Sequence, residues 1–132
     1  MAPDVFVTAS HCTAFLESIG TPPDEVWVTF DPDFDAASPL IGGTYHTNPE
    51  FGFSGPGGFS DPHDVAVVIL DEPVTGVTPA RLPTLNLLNS IPLKQQRFTA
   101  VGYGTVREDK TTGQHALFFD GQRRFADQGF RS

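Results

Sequence analysis

The sequence predicts a predominantly β chain of the all-β class. Its 132 residues suit about one domain with a single modest hydrophobic core. Thirteen Gly and twelve Pro divide the chain into short segments separated by turns, which disfavours long helices. Several of these segments are apolar and β-branched, a composition typical of strands.

The first two strands are predicted at residues 5–9 and 25–30. Residues 5–9 read Val-Phe-Val-Thr-Ala, a buried strand whose end delivers the following Ser-His-Cys to a surface. Residues 13–19 fit at most one or two helical turns, because a glycine and two prolines follow soon after. In residues 25–30 apolar Val, Val and Phe alternate with other side chains, and an acidic loop follows over residues 31–39.

The strongest predicted strand covers residues 65–70. It reads Val-Ala-Val-Val-Ile-Leu and is apolar on both faces, which is typical of a central strand. A third strand is predicted over residues 40–47, entered through Gly42-Gly43, and a long Gly-rich loop over residues 48–62. Long loops of this kind in compact domains are usually functional or mobile.

Proline divides the rest of the chain into shorter pieces. Turns are predicted at Pro73, Pro79, Pro83 and Pro92. Residues 85–88 are too short to classify, and residues 97–106 form a further predicted strand that contains Gly-Tyr-Gly. Residues 117–119 and 123–125 are predicted to pair as a hairpin across Asp120-Gly121.

Charge is distributed unevenly along the chain. Sixteen acidic and eight basic residues give a net charge of -8, which disfavours binding to nucleic acid or anionic lipid. Twelve acidic residues and no basic residue precede Arg81, so the first part of the chain carries a charge of -12. The part from Arg81 onward has eight basic and four acidic residues and carries +4. Such asymmetry fits either a solvated acidic surface or a partner that neutralises it.

Cysteine usage and hydropathy exclude some classes. Cys12 is the only cysteine, so no disulfide forms within the chain. Cysteine usage therefore does not indicate whether the protein works in an oxidising or a reducing compartment. No apolar run approaches the roughly 18 residues of a membrane span. Met1 is followed by Ala-Pro-Asp rather than by a signal peptide. Neither a membrane nor a nucleic acid is expected as a partner.

The candidate catalytic residues are His11, after the first strand, and Asp64, before the central strand and 53 positions later. Alone, such a His is commonly structural and such an Asp a turn former. However, residues 7–12, Val-Thr-Ala-Ser-His-Cys, resemble the Val-Thr-Ala-Ala-His-Cys segment around the general base of trypsin/chymotrypsin-like serine proteases, with Ser10 in place of Ala. Residues 61–70, Asp-Pro-His-Asp-Val-Ala-Val-Val-Ile-Leu, resemble the Asn-Asp-Ile-Ala-Leu-Leu-Lys-Leu segment that carries the triad aspartate.

Three weaker resemblances follow the order of the same family. Residues 45–51 resemble its His-Pro-x-Tyr segment, residues 72–83 its link after the aspartate, and residues 101–105, Val-Gly-Tyr-Gly-Thr, its Gly-Trp-Gly-x-Thr turn. The resemblance implies the first of two six-stranded antiparallel barrels over residues 1–107. Residues 108–132, which carry no specific motif, would then be a linker and the start of the second barrel.

The resemblance implies a secreted serine endopeptidase that cleaves peptide bonds by acyl transfer. We expect no cofactor and no metal. His11 would take the proton of the nucleophilic serine and return it to the leaving amine. Asp64 would hold the other ring nitrogen, fix its tautomer and stabilise the imidazolium. The expected partners are a polypeptide substrate and the C-terminal barrel of the same protein.

The family's nucleophile is missing from the sequence. It sits in Gly-Asp-Ser-Gly-Gly after the aspartate, and the only later serines, Ser90 and Ser132, lack the glycines that build an oxyanion hole. The Ser-Gly-Pro-Gly-Gly of residues 54–58 precedes Asp64 and is predicted to be a loop. The expectation is therefore an N-terminal portion of such a protease, inactive alone, with Cys12 as a free thiol.

Alternatives to the protease interpretation stay open. A noncatalytic protease-like binding or assembly domain, or an inactive truncated homologue, would expose strand edges that a partner or self-association covers. Asp31, Asp33 and Asp35 alternate as calcium ligands do, but Pro and Ala at neighbouring positions favour a solvated acidic loop. A zinc site is disfavoured by the wide spacing of the four histidines, His11, His46, His63 and His115.

Overall fold

The computed structural model describes residues 1–52, 63–107 and 117–129 of the chain. These residues form mostly β-strands, with few helices, and every strand pair is antiparallel. The prediction of a β-rich chain is therefore confirmed, and the described sheets are open. The chain divides into two compact units, Met1–Thr29 with Leu40–Leu82 and Phe30–Pro39 with Pro83–Ser132.

The described residues of unit 1 form a four-stranded sheet and one helix. Its elements are β1 (Val5–Thr8), α1 (Ser10–Ser18), β2 (Val26–Val28), β3 (Ile41–His46) and β4 (Ala66–Leu70). The order across the sheet is β1-β4-β3-β2. The apolar strand β4 is thus central, as its sequence predicts, and β1 and β2 lie at the edges.

The core of unit 1 lies on one face of this sheet. Ala66, Val68 and Leu70 alternate along β4 and are buried, and Tyr45 lies buried beside Val68 on β3. Ile69 points to the other face and is 39% exposed. The strand is therefore buried on one face, rather than on the two that its apolar sequence suggested, because an antiparallel sheet commonly covers only one side.

Helix α1 begins at Ser10, earlier than the predicted helical turns, and its nine residues make about two and a half turns. It ends before Gly20, whose φ of +79° is a left-handed conformation that glycine adopts without strain. The early start corrects the expectation for His11, which lies in the first turn of a helix and not at the end of a strand.

The sequence suggested that the glycine pair Gly42-Gly43 stands at the entry of β3, but the pair lies inside the strand. At Gly43 a β-carbon would collide with the Ile69 carbonyl of β4. Glycine therefore allows β3 and β4 to approach closely at this point. On the other side β3 pairs with β2, which has three residues instead of the six predicted.

In unit 2, the residues that the structure describes form two small sheets. Its elements are α2 (Leu87–Ser90), a 3₁₀ turn (Leu93–Gln95), β5 (Arg97–Gly102), β6 (Val106–Arg107), β7 (Leu117–Phe118) and β8 (Arg124–Gly129). β5 pairs with β8, and β6 pairs with β7. The predicted hairpin between residues 117–119 and 123–125 is therefore wrong.

The segment between β7 and β8 pairs with the acidic loop instead. The Gly121 carbonyl accepts the Phe34 N–H at 2.9 Å, and the Arg123 N–H donates to the Pro32 carbonyl at 2.8 Å. Within the segment, the guanidinium of residue 124 donates twice to the Asp120 carboxylate, at 2.8 and 2.5 Å, and these bonds lower the pKa of Asp120 to about 2. Residues 120–124 thus form a turn that pairs with the acidic loop, and β8 pairs with β5 instead of with β7.

Several features of the sequence lie outside the described residues. They are the Ser-Gly-Pro-Gly-Gly run of residues 54–58, residues 61–62, His115 and Ser132. Within the described part of the chain, no helix has the length and apolar character needed to cross a membrane.

Candidate active site

His11 and Asp64 are in contact, although 53 residues separate them. Nδ1 of His11 lies 2.7 Å from Oδ2 of Asp64. The other carboxylate oxygen, Oδ1, accepts the backbone N–H of His11 at 2.8 Å. The structure thus brings together, within unit 1, the two residues that the sequence singled out.

Asp64 also caps the start of helix α1. The first N–H groups of a helix have no partner inside it, and Ala9, the residue before α1, has no side chain that could accept them. The Asp64 carboxylate accepts the backbone N–H of His11 in this first turn. The ring bond from His11, followed by this backbone bond, lowers the pKa of Asp64 below its ordinary 3.8. The helix end further favours the negative charge.

The contact determines which nitrogen of the neutral imidazole carries the hydrogen. An ionised carboxylate only accepts hydrogen bonds, so Nδ1 of His11 is the donor and Nε2 keeps its lone pair. The His11 side chain is 61% exposed, whereas that of Asp64 is 31% exposed. The ring is therefore held on its Nδ1 side and accessible to another molecule, which suits proton uptake at Nε2.

A tight turn presents Asp64 at the head of β4. The Val65 N–H donates to the His63 carbonyl at 2.8 Å, which closes a three-residue turn centred on Asp64. His63 has a φ of +52°, a left-handed conformation that is uncommon for residues other than glycine. The backbone before Asp64 is therefore held by its surroundings in an unfavoured conformation.

Ser10 and Asn48 hold the backbone around Asp64. The Ser10 side chain is fully buried, and its hydroxyl donates to the Val65 carbonyl at 2.7 Å. The same oxygen accepts the Asn48 N–H at 3.1 Å, and Nδ2 of Asn48 donates to the His63 carbonyl at 3.2 Å. Sequence reasoning did not include these two residues in the site. Its one signal was Ser10, which stands where the resembling family has Ala.

Helix α1 is tied to the segment after β3 by hydroxyl groups. Thr13 is buried, and its hydroxyl donates to the Ser10 carbonyl at 3.1 Å. Thr47 lies 2.8 Å from that hydroxyl and 2.5 Å from a carboxylate oxygen of Glu17. The position of the helix that carries His11 is thus set by contacts at both of its ends.

Three other reactive side chains have surroundings of their own. Cys12 is exposed and forms no disulfide. His63 approaches Glu50 with Nδ1 3.9 Å from Oε2. Ser90 belongs to unit 2, where its hydroxyl donates to the Leu87 carbonyl at 2.7 Å.

The aspartates of residues 31–39 shape their own loop. Oδ1 of Asp31 accepts the Asp33 N–H at 3.4 Å, and Oδ1 of Asp35 accepts the Ala37 N–H at 2.8 Å, as aspartates do in turns. Tyr103 donates its hydroxyl to the Asp31 carbonyl. Across residues 1–52, 63–107 and 117–129, no group of three or more His, Cys, Asp or Glu could hold a metal ion.

Comparison of the chain with protein-family models, curated proteins and solved structures finds no match. What the site can do chemically is therefore argued from its geometry alone. An imidazole that is fixed through Nδ1 and accessible elsewhere can accept a proton and return it. A carboxylate bonded to the same ring stabilises the imidazolium in between.

Proposed function

We propose that His11 and Asp64 are the general base and the orienting carboxylate of a serine endopeptidase of the trypsin/chymotrypsin type. One observation carries the proposal: two residues from separate family-like motifs meet through the 2.7 Å contact of Nδ1 with Oδ2. Nε2 of His11 takes the proton of a serine hydroxyl as the serine attacks the peptide carbonyl. His11 then returns this proton to the leaving amine, while Asp64 stabilises the imidazolium.

The nucleophilic serine in this proposal comes from outside the 132 residues. The sequence has no Gly-Asp-Ser-Gly-Gly after Asp64, and the Ser90 hydroxyl is used inside α2. A second barrel of the same protein supplies the serine and the oxyanion hole, and the sheet of unit 1 is part of the first barrel. A secreted location and a polypeptide substrate belong to the same proposal.

The exposed two-stranded ribbon of unit 2, β5 with β8, supports the proposal that a second barrel packs against this chain. Every residue of β5 and β8 is exposed, including the apolar Val101 and Phe125, which lie opposite each other. An isolated two-stranded ribbon is at best marginally stable in water. Packing of the second barrel against this ribbon would remove its apolar side chains from solvent.

The base assignment is tested on the chain itself by nitrogen NMR of the imidazole. At neutral pH we expect the hydrogen of His11 on Nδ1, because Asp64 accepts it. Asp64→Asn places an amide beside the ring, and the hydrogen should move to Nε2. Asp71→Asn, which changes a carboxylate beyond the other end of β4, is the matched control and should leave the ring unchanged. A wild-type ring protonated on Nε2 alone would contradict the assignment.

The endopeptidase activity is tested on coding sequence that continues past Ser132 into a Gly-Asp-Ser-Gly-Gly segment. The longer protein should cleave peptides, and His11→Ala and Asp64→Asn should each lower kcat by about 10⁴-fold or more. The 132-residue chain should show no turnover and no labelling of Ser90 by a fluorophosphonate. Full activity of the His11→Ala protein would overturn the proposal.

A second candidate function is a noncatalytic binding or assembly domain. It is favoured by the face of the unit 1 sheet opposite the core, where Val7, Trp27 and Ile69 are exposed together. Sedimentation of the chain over a range of concentrations distinguishes the candidates. Two results together would favour assembly over proteolysis. The chain would self-associate in a way that Trp27→Lys abolishes, and its reading frame would contain no Gly-Asp-Ser-Gly-Gly segment.

A further inference from the structure

We propose that Ser10 and Asn48 form a clamp that positions the Asp64 carboxylate for His11. The inference rests on the proposed function for its catalytic meaning, whereas its geometry is that of unit 1 alone. Ser10 and Asn48 are positioning residues, since neither contacts the imidazole and both act through the backbone that carries Asp64.

The clamp holds the peptide carbonyls on both sides of Asp64. The Ser10 hydroxyl donates to the carbonyl of Val65, and Nδ2 of Asn48 donates to the carbonyl of His63, at 2.7 and 3.2 Å. The two clamp residues are joined to each other, because the Asn48 N–H donates to the Ser10 oxygen at 3.1 Å. A rotation of either peptide plane would break one of these bonds and move the carboxylate between them.

Ser10 connects the clamp directly to the base. It precedes His11 in the first turn of α1, and its side chain holds the peptide after Asp64. The helix that carries the base and the strand that follows the carboxylate are thus joined at one residue. Catalytic groups work when they are held within about 0.5 Å of the productive geometry, which requires such supporting bonds.

Burial makes the Ser10 hydroxyl hard to replace. The side chain has no exposed surface, so water does not reach groups that it leaves unpaired. Ser10→Ala removes the partners of the Val65 carbonyl and the Asn48 N–H together. Asn48→Asp is nearly isosteric and replaces the donor to the His63 carbonyl by a negatively charged oxygen, while it keeps an acceptor for the Glu50 N–H.

The experiment measures exchange of the His11 Nδ1 hydrogen with solvent by NMR in the 132-residue chain. We expect Ser10→Ala and Asn48→Asp each to speed this exchange about fivefold, the change that corresponds to one hydrogen bond of ordinary strength. Ser18→Ala is the matched control, because it removes another serine hydroxyl of α1 that donates to a backbone carbonyl, that of Phe15, at 2.7 Å. The control should leave the exchange unchanged.

The free energy of unfolding is measured on the same samples and separates positioning from general stability. If Ser10→Ala and Asn48→Asp lower it but leave Nδ1 exchange as in the wild type, both residues are merely structural and the clamp is overturned. If Ser10→Ala does not fold, Ser10→Cys replaces it, because a thiol retains the size but bonds only weakly. Unchanged exchange in Ser10→Cys and Asn48→Asp would equally overturn the clamp.

Failure of the proposed function has a different signature. If Asp64→Asn leaves the Nδ1 hydrogen of His11 unchanged, the base and carboxylate do not form a pair and the proposed function fails. If Asp64→Asn removes that hydrogen while the clamp variants do not affect it, only the clamp fails.

Discussion

Asp64 binds an imidazole ring and a helix end with the same carboxylate. The ring bond gives His11 its tautomer, and the backbone bond from the His11 N–H replaces the cap that Ala9 cannot provide. A change in the ionisation of Asp64 is therefore expected to affect both the site and the start of α1. This coupling leads to a prediction in acid.

The stability that Asp64 contributes is expected to be lost in acid. Because His11 holds the pKa of Asp64 below 3.8 in the folded chain, the folded state binds fewer protons there than the unfolded state. The contribution is complete above pH 3.8 and disappears as the pH falls through the lower folded value. Urea unfolding at a series of pH values should show a steeper acid loss for the wild type than for Asp64→Asn. Asp120, with its pKa of about 2, contributes equally to both proteins. Parallel curves would contradict the prediction.

At the scale of elements, β4 joins the site to the core. Asp64 precedes the strand, and the alternate side chains Ala66, Val68 and Leu70 anchor it in the buried face of the sheet. The strand is central, so it is held by β1 on one side and β3 on the other. Burial of its apolar side chains thus gives the carboxylate a rigid support.

Leu70→Ala is expected to destabilise unit 1 by about 2–5 kcal/mol, the usual cost of removing a buried leucine side chain and leaving a cavity. Ile69→Ala is the matched control, because Ile69 is a neighbour of similar size that points to the exposed face. It should cost less. Unfolding in urea can be followed through Trp27, the single tryptophan, which lies in β2 of the same unit. Equal losses in the two variants would contradict a core on one face.

At the scale of the whole molecule, the net charge belongs to one of the two units. In the sequence, unit 1 has nine acidic residues and one arginine, which make -8, whereas unit 2 has seven acidic and seven basic residues and is neutral. Repulsion among like charges opposes the compact state of unit 1. The sign asymmetry along the sequence is therefore also an asymmetry between compact units.

Salt is expected to stabilise unit 1. Raising the ionic strength from about 0.01 to about 0.1 M shortens the Debye length from roughly 30 to 10 Å and screens repulsion between distant carboxylates. The urea midpoint followed by Trp27 fluorescence should rise with sodium chloride at neutral pH. A lower midpoint at higher salt would show that attractive ion pairs outweigh the repulsion. Glucose at equal osmolarity is a control for effects other than screening.

What could be predicted from the sequence was local. Periodicity identified the strands of unit 1 and the central place of β4, because the pattern of apolar side chains reflects their burial. The motifs also predicted that His11 and Asp64 act together, and the two side chains are in contact in the structure. Their catalytic roles, the family and the endopeptidase activity stay predictions.

Only the tertiary structure decided the rest. The first turn of α1 is capped by Asp64, 53 positions from His11 in the sequence, which accepts an N–H group that Ala9 could not satisfy. The turn at residues 120–124 faces the acidic loop, so β8 pairs with β5 and not with the nearby β7. The clamp of Ser10 and Asn48 likewise joins segments far apart in the chain. The sequence by itself determined that the chain is rich in strands and which two side chains carry the candidate chemistry. Their partners were decided by folding, because hydrogen bonds between distant segments leave no periodic signal in the sequence.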